Sequence, residues 1–237
     1  MNIKNIFNIT NKEKEENILF VKTSEKLQTT EELIQESKLS QSFYFMLVFS
    51  SIIVASGILL NNTVIILAGM LISPILKPIL TLALSVAIFN LKLFIRSVII
   101  LLVSIFLIII ISFILTTVYP SALLRFNPVF NIDFNILYFL IDIFAGMAAT
   151  LAWTKKREMT ELLSGTAIAV SLMPPLSWMG ISIFSKSYPV FLQSFNIFYL
   201  NLISIFLGSV IIFLLSGFKL KKVADRVEEE LKEENKS

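Results

Sequence analysis

Residues 97–118 form a run of 22 residues that contains no charged residue, glycine or proline. A helix rises ~1.5 Å per residue, so a run of this length can cross a hydrocarbon core of about 30 Å. The charge distribution extends the argument to most of the chain, because residues 39–218 carry only 12 of the 37 charged residues. The remaining charges lie in the two flanking segments. The sequence therefore predicts that the central 180 residues lie in lipid.

Segments of similar size and low charge predict an all-α, polytopic membrane protein with about six transmembrane helices. The predicted spans are residues 43–60, 63–90, 97–118, 135–153, 161–184 and 191–218. Residues 1–42 are predicted to be a polar cytoplasmic segment, in which the stretch from Thr30 to Leu33 indicates a capped helix that leads towards the membrane. Residues 219–237 are predicted to form a charged cytoplasmic helix.

The basic residues of the connections predict the orientation, since Lys and Arg accumulate on the cytoplasmic side. The connections on the side of the N-terminus carry most of them: Lys92, Arg96, Lys155, Lys156, Arg157, Lys219, Lys221 and Lys222. The opposite side carries only Arg125 and Lys186. Both termini are therefore predicted to be cytoplasmic, in a cytoplasmic (inner) membrane. The lipid bilayer is the expected partner, and a nucleic acid is not, because the basic residues form no clustered face.

The residue inventory argues against an enzyme. The chain has no His and no Cys, which removes haem ligation, thiol nucleophiles and histidine-based metal sites, so no cofactor and no metal are expected. An aspartyl protease needs two carboxylates, and Asp142 is the only acidic residue deep inside a predicted span. A dyad of Ser73 and Lys77 is interrupted by Pro74.

Prolines predict that two spans are interrupted. Pro74 and Pro78 fall within the second span, and Pro174 and Pro175 within the fifth. A proline withholds a backbone donor, and unsatisfied backbone inside a membrane is tolerated only where it is buried in protein or faces a watery cavity. Each span is either two half-helices or a re-entrant loop. Their matching positions in two sets of three spans predict a possible 3+3 inverted repeat with a central site.

The first interruption has the chemistry of a helix start. Ser73 followed by Pro74 matches a hydroxyl N-cap with proline at the first helical position. A helix that begins within the membrane would direct its free N–H groups and its positive dipole end into the site, and Lys77 would add a full charge. These groups together favour an anion. The alternatives are a plain proline kink and a Lys77 side chain that extends to the cytoplasmic surface.

Asp142 is the second functional candidate, because a carboxylate within a span is costly. Beside a broken helix it could bind a cation or carry a coupling proton. The alternative is that it caps backbone donors or lies in a wet vestibule. Counted along the helices, Lys77 and Asp142 differ in depth by ~10 Å, which argues against a direct ion pair, whereas Pro174 is level with Asp142.

Two ordered signatures resemble a known family. Residues 50–62 (SSIIVASGILLNN) and 68–79 (AGMLISPILKPI) resemble the first signature of the DUF389 family of bacterial and archaeal membrane proteins, and residues 165–176 (GTAIAVSLMPPL) resemble the second. Asn201 matches an Asn of the family's last span. The family carries no assigned function, and many members have an additional ferredoxin-like domain. Because Gly is more usual at the position of Lys77, the resemblance implies a role for the Ser-Pro interruption rather than for this charge.

The sequence thus predicts that a small solute or ion, with an anion favoured, is bound or transported at the interrupted helices. The alternative is a non-transporting scaffold or a lipid-interacting protein. The predicted site residues are Ser73, Pro74, Lys77, Pro78, Asp142, Pro174, Pro175 and Asn201.

Overall fold

A computed structural model describes residues 21, 23–36, 40–120, 136–154 and 164–218, with the backbone alone at residues 23, 35, 36 and 164–171. The described residues form eight helices and no strand, which confirms the all-α prediction for this part of the chain. The helices are α1 (Thr23–Glu36), α2 (Gln41–Leu59), α3 (Thr63–Ile72), α4 (Leu76–Ala87), α5 (Leu91–Val118), α6 (Ile136–Thr154), α7 (Ser164–Phe184) and α8 (Tyr188–Leu215). The predicted C-terminal helix over residues 219–237 lies outside the described residues.

The membrane character predicted from composition agrees with these helices. By length and composition, α2, α5, α6 and α8 can each cross a membrane, and α3 and α4 together make a further span that is bent by 50°. The apolar part of α7 that is described with side chains, Leu172–Phe184, is shorter than a span. Helical membrane architecture is therefore supported, while the number of six spans stays a prediction that depends on residues 164–171.

The helix of the third span begins six residues before the predicted span. The prediction excluded charged residues and so began at Ser97, whereas α5 begins at Leu91. Asn90 explains the difference, because its side-chain oxygen accepts a hydrogen bond from the Leu93 N–H at 2.9 Å and caps the helix. Lys92 therefore lies in the first turn of α5, where its long side chain can reach the membrane surface.

Helix packing follows the same pattern in the two halves of the bundle. In the first half α2 packs against α3 and α5, and in the second half α6 packs against α7 and α8. Across the halves, α4 packs against α8 and α7 packs against α5. The helices in corresponding positions also match in length, since α2 and α6 have 19 residues each and α5 and α8 have 28 each.

The crossing of α6 and α8 is built from glycines. A Cβ on Gly208 would collide with the backbone oxygen of Ile143, and a Cβ on Gly146 would collide with the backbone of Ile205. The Ser209 hydroxyl donates a hydrogen bond across the crossing to the Gly146 carbonyl at 3.4 Å. Small residues let transmembrane backbones approach closely, so this crossing holds the second half together by direct backbone contact.

Most hydroxyl groups in the spans are satisfied within their own helix. Each donates to the carbonyl one turn earlier, as in Ser51 to Leu47, Ser97 to Leu93, Ser104 to Ile100, Thr116 to Ser112, Thr150 to Gly146 and Ser204 to Leu200. These bonds remove the cost of burying a hydroxyl in an apolar interface. The serines and threonines of the spans are thus mainly small packing residues.

α1 is docked on one end of the bundle, which we call the α1 end. The Lys26 ammonium donates to the Gly217 carbonyl at 3.2 Å, just beyond α8, and the Thr29 hydroxyl donates to the Trp153 carbonyl at 3.5 Å, in the last turn of α6. Thr30 was predicted to cap this helix, but it lies inside α1 and donates to the Lys26 carbonyl. Burial lowers the pKa of the Lys26 ammonium below its usual value of 10.5.

Candidate functional site

The interruption in the second span is a true break between α3 and α4. Ser73 is the C-cap of α3, with an extended ψ of 127°, and Ile75 takes the N-cap position of α4. The predicted assignment of Ser73 as N-cap and Pro74 as first helical residue is therefore wrong by two residues. The Ser73 hydroxyl still accepts a hydrogen bond from the Ile75 N–H, at 3.4 Å. Pro78, not Pro74, is the proline of the first turn of α4, where no donor is lost.

The two carbonyls that these prolines deprive of a partner are satisfied locally. In a continuous helix Pro74 would leave the Met70 carbonyl free, and Pro78 would leave the Pro74 carbonyl free. Here the Ser73 N–H donates to Met70 and the Lys77 N–H donates to Pro74, both at 3.2 Å. Bonds to the residue three positions earlier thus replace the missing bonds, and these two carbonyls are not left as ligands for a solute.

Lys77 lies in the first turn of α4 and is half-buried, as is Ser73, while Pro74 and Pro78 are buried. A helix carries a partial positive charge at its N-terminus, so the Lys77 ammonium adds to a potential that is already positive. Lys77 makes a further polar interaction in the structure. The break therefore places a lysine beside the positive end of a helix dipole, and whether an anion binds there stays a prediction.

The interruption predicted in the fifth span is not present. Pro174 and Pro175 lie inside α7, which continues through both of them from Ser164 to Phe184. Two adjacent prolines withhold donors only from the carbonyls of Val170 and Ser171, and transmembrane helices tolerate such losses when neighbouring helices support them. Pro174 is half-buried and Pro175 is buried. The prediction of two half-helices at this position is wrong.

Replacing Pro174 with alanine is expected to stabilise the protein. A proline within a helix costs about 3 kcal/mol, whereas the lost packing of a half-buried ring is smaller, so we expect a net gain of about 1 kcal/mol or more. Thermal unfolding in detergent measures it. The matched control is Pro189→Ala, because Pro189 lies in the first turn of α8, where no bond is lost. An equal change in the two variants would contradict the expectation.

Asp142 and Asn201 both lie near the α6–α8 crossing, on the side away from the α1 end. Asp142 is 7% exposed and lies one turn before Gly146 on the buried face of α6. Asn201 lies one turn before Ile205 on α8 and is half-buried. Both helices run towards the α1 end, so Asp142 and Asn201 lie on the same side of the crossing. Gly146 contacts Ile205 and Ser209, and Gly208 contacts Ile143, which places Asp142 about one turn nearer to the crossing than Asn201. Asp142 and Asn201 each make a polar interaction in the structure.

The contacts of α1 supply a common reference for depth. Thr81 of α4 and Trp153 of α6 both hydrogen-bond to α1. At ~1.5 Å per residue, Lys77 lies ~6 Å and Ser73 ~12 Å beyond Thr81, while Asp142 lies ~16 Å beyond Trp153. The Ser-Pro break and Asp142 are thus at similar depth. On this count Lys77 lies nearer to the α1 end than Asp142 does, and their separation of ~10 Å stays a prediction.

α8 connects the helices that carry the predicted site residues. It packs against α4, which follows the break, against α6, which carries Asp142, and against α7, which carries Pro174 and Pro175. α7 in turn packs against both α3 and α4. The helices that carry the predicted residues are therefore connected through α7 and α8. Among the described residues, no group of three or more potential ligands is arranged to hold a metal ion.

Two buried serines were not predicted. Ser112 of α5 and Ser177 of α7 are fully buried, and their hydroxyls have no hydrogen-bond partner within the part of the chain that the structure describes. Ser112 lies where α5 meets α7, because a Cβ on Gly180 would be 2.8 Å from the Ser112 Cβ. Nothing in the sequence distinguishes these serines from the self-satisfied ones, since the difference depends on side-chain rotation.

Comparison with known proteins places the chain in a family. Residues 70–207 match the family described as "Domain of unknown function (DUF389)", which is more than half of the chain. The chain belongs to the DUF389 family. The resemblance to this family is thereby confirmed. The match includes residues 165–176 of the second signature and residues 70–79 of the first, whereas residues 50–62 precede it. All eight predicted site residues lie within the match.

A relative from Methanocaldococcus jannaschii, described as an uncharacterized protein, is 28% identical over 177 residues. The match covers 75% of this chain and 55% of the relative, so the chain spans about half the length of that DUF389 relative. No solved structure matches the chain.

Proposed function

We propose that this DUF389 protein binds and transports a small solute or ion, with an anion favoured, between the α3–α4 break and the α6–α8 crossing. The observation that carries the proposal is the break itself, where a new helix begins inside a span with a half-buried lysine in its first turn. The N-terminal dipole end of a helix is positive and attracts anions. At α4 the Ile75 and Lys77 N–H groups are already bonded to the Ser73 hydroxyl and the Pro74 carbonyl, so the proposed attraction comes from the helix dipole and from the Lys77 ammonium. Discontinuous helices of this kind form substrate sites in many secondary transporters.

Asp142 gives the proposed site its coupling group. It is an acidic residue, 7% exposed, at a depth similar to that of the Ser-Pro break. Transfer of a carboxylate from water into an apolar interior is costly, so protonation or cation binding at Asp142 would lower that cost. An anion bound at the break and a proton or cation bound at Asp142 would together leave the site closer to neutral. We therefore propose coupled movement of the two.

The packing pattern supports an inverted repeat of three spans. The helices in corresponding positions match in length, and the contacts α4–α8 and α7–α5 are the pair that a two-fold axis in the membrane plane would exchange. The continuous α7 and the broken α3–α4 pair differ, so the proposed repeat is asymmetric at its second helix. The basic connections favour a cytoplasmic location for the α1 end.

The proposed activity is tested by flux into proteoliposomes across a panel of anions, with and without a pH gradient. We expect saturable anion uptake in the wild type. Lys77→Met should lower apparent anion affinity about tenfold, because it removes about 1.4 kcal/mol or more of electrostatic attraction within the membrane. Lys186→Met is the matched control, since Lys186 is exposed in the connection between α7 and α8. Absence of both flux and binding for the whole panel would refute the proposal.

A non-transporting scaffold or lipid-interacting protein is the second candidate. The observation that favours it is the local satisfaction of the Met70 and Pro74 carbonyls, which leaves fewer backbone ligands at the break than a transport site requires. This candidate predicts that Asp142→Asn and Ser73→Ala have no effect in any functional assay. The flux experiment therefore separates the two candidates.

A further inference from the structure

α1 is buried to an extent that is unusual for a polar segment outside the spans. Leu33 and Ile34 are completely buried, Thr30 is also inaccessible, and Lys26 is 9% exposed. The helix packs against α4 and α6, and its first turn reaches the residues that follow α8. An amphipathic helix that only lay on lipid headgroups would leave these residues exposed when the protein is considered without lipid.

Hydrogen bonds tie α1 to three separate elements. The bonds from Lys26 and Thr29, described above, attach it to the residue after α8 and to the last turn of α6. The Thr81 hydroxyl of α4 donates to the Leu33 carbonyl at 3.2 Å. The Lys26 ammonium also lies 6.0 Å from the centroid of the Phe218 ring. α1 therefore spans the α1 end of the bundle from α8 across α6 to α4.

The bond to α4 is replaceable. The Thr81 hydroxyl has a single proton and lies within hydrogen-bond distance of two acceptors, the Leu33 carbonyl of α1 and the Lys77 carbonyl of its own helix at 3.0 Å. When α1 leaves, the hydroxyl keeps the bond to Lys77. The carbonyls of Trp153 and Gly217 lie at helix ends, where water can replace α1. When α1 undocks, the polar groups that bonded to it on α4, α6 and α8 therefore all find another partner. The burial of the apolar Leu33 and Ile34 side chains is what holds α1 in place.

α1 contacts α4 close to the Ser-Pro break. Thr81 lies one turn from Lys77, and Lys77 lies between Thr81 and the Ser-Pro break. α1 therefore lies over the part of α4 that separates Lys77 from the α1 end, and access to Lys77 along this face of α4 would pass beneath α1. α1 is held by apolar contacts, and its polar bonds can be exchanged for bonds to water. It can therefore exist in two states, docked and released.

We propose that α1 is a removable cover of the proposed site, which closes access from the α1 end when docked and opens it when released. The role of α1 as a cover rests on the proposed function, because a cover needs a site beneath it. The experiment that tests the cover does not require transport. Release requires only that Leu33 and Ile34 leave the bundle, and it changes the exposure of Lys77 and Ser73 without any change in the spans.

Cysteine labelling tests the cover directly, because the chain contains no cysteine and each introduced thiol is therefore unique. The probe is a membrane-impermeant maleimide applied to the full-length protein in vesicles, from the side of the α1 end. The reporters are Ser73→Cys and Lys77→Cys. They are compared in the wild-type background and together with the undocking pair Leu33→Asn and Ile34→Asn. Lys92→Cys, exposed near the same end, is the matched control.

We expect the undocking pair to accelerate labelling at positions 73 and 77 at least tenfold, and to leave labelling of Lys92→Cys unchanged. A second variant, Thr81→Val, keeps the shape of the side chain and removes the hydroxyl that contacts Leu33. It should give a smaller acceleration, of a few-fold, and it provides the test if the undocking pair fails to fold. Gel filtration in detergent monitors folding of each variant.

Equal labelling rates with and without the substitutions would overturn the proposal. It would also fail if labelling of a Thr29→Cys reporter showed release of α1 while positions 73 and 77 remained protected. Labelling requires no transport, so the cover and the proposed function can fail independently. Accelerated labelling in a protein that moves no anion would support the cover and refute the transport activity.

Discussion

Replacing Gly208 with leucine is expected to prevent the second half of the bundle from assembling. A single Cβ at this position already collides with the backbone oxygen of Ile143, and a backbone atom cannot turn aside as a side chain can. Separating α6 from α8 would also break the Ser209 hydrogen bond and move Asp142 and Asn201 apart. Overpacking of this kind costs about 3 kcal/mol or more. We expect the variant to yield little or no monodisperse protein in detergent.

The matched control for this effect is Ala148→Leu. Ala148 lies on α6 within one turn of the same crossing, but its side chain is exposed on the surface that faces lipid. The added volume and hydrophobicity are similar, so any general effect of a larger apolar side chain on membrane insertion appears in both variants. Normal yield and melting temperature are expected for Ala148→Leu. Similar losses in the two variants would show that close backbone contact is not the cause.

Hydropathy predicted the membrane helices well because it depends only on the cost of burying charge in lipid. α5 and α8 were located by their long apolar runs, and the difference at the start of α5 has the same origin. Lys92 and Arg96 were excluded as charged, yet a lysine or arginine at a helix end can extend to the surface while its backbone stays helical. Charge therefore marks the start of the uncharged run and not the start of the helix.

The prolines show where local chemistry is insufficient. A residue before proline is biased towards extended backbone, and Ser73 follows this bias with a ψ of 127°, so the second span breaks. Met173 also precedes a proline, but it is completely buried and remains helical within α7. Packing against the neighbouring helices outweighs the local preference at Met173 and not at Ser73. No property of the two dipeptides predicts that difference.

The docking of α1 could not be predicted for a related reason. Leu33 and Ile34 are two apolar residues in a polar segment, and their periodicity indicates a helix with one apolar edge. The sequence does not specify whether that edge meets lipid or protein. The partner is determined by the ends of α4, α6 and α8, which come together only when the spans pack.

The substitution Asp142→Asn is expected to abolish anion flux and to leave the fold intact. Asparagine has nearly the shape of aspartate and retains one carbonyl acceptor, but it can carry neither a negative charge nor a coupling proton. Because Asp142 is 7% exposed, water cannot replace the lost charge. We expect uptake in proteoliposomes to fall at least tenfold, with a melting temperature close to that of the wild type, because asparagine keeps an acceptor for the polar interaction that Asp142 makes.

Exchanging Asp142 of α6 with Asn201 of α8 provides the sharpest control. Asn201 lies on α8 one turn before Ile205, so the double variant Asp142→Asn with Asn201→Asp returns one carboxylate to the same side of the crossing, about one turn from the original depth. If the site requires a negative charge on this side of the crossing, the exchange restores part of the flux that Asp142→Asn removes. If Asp142 instead caps backbone donors on its own helix, the exchange restores nothing and the single variant loses stability. Flux at wild-type level in the single variant would remove Asp142 from the mechanism and favour the scaffold.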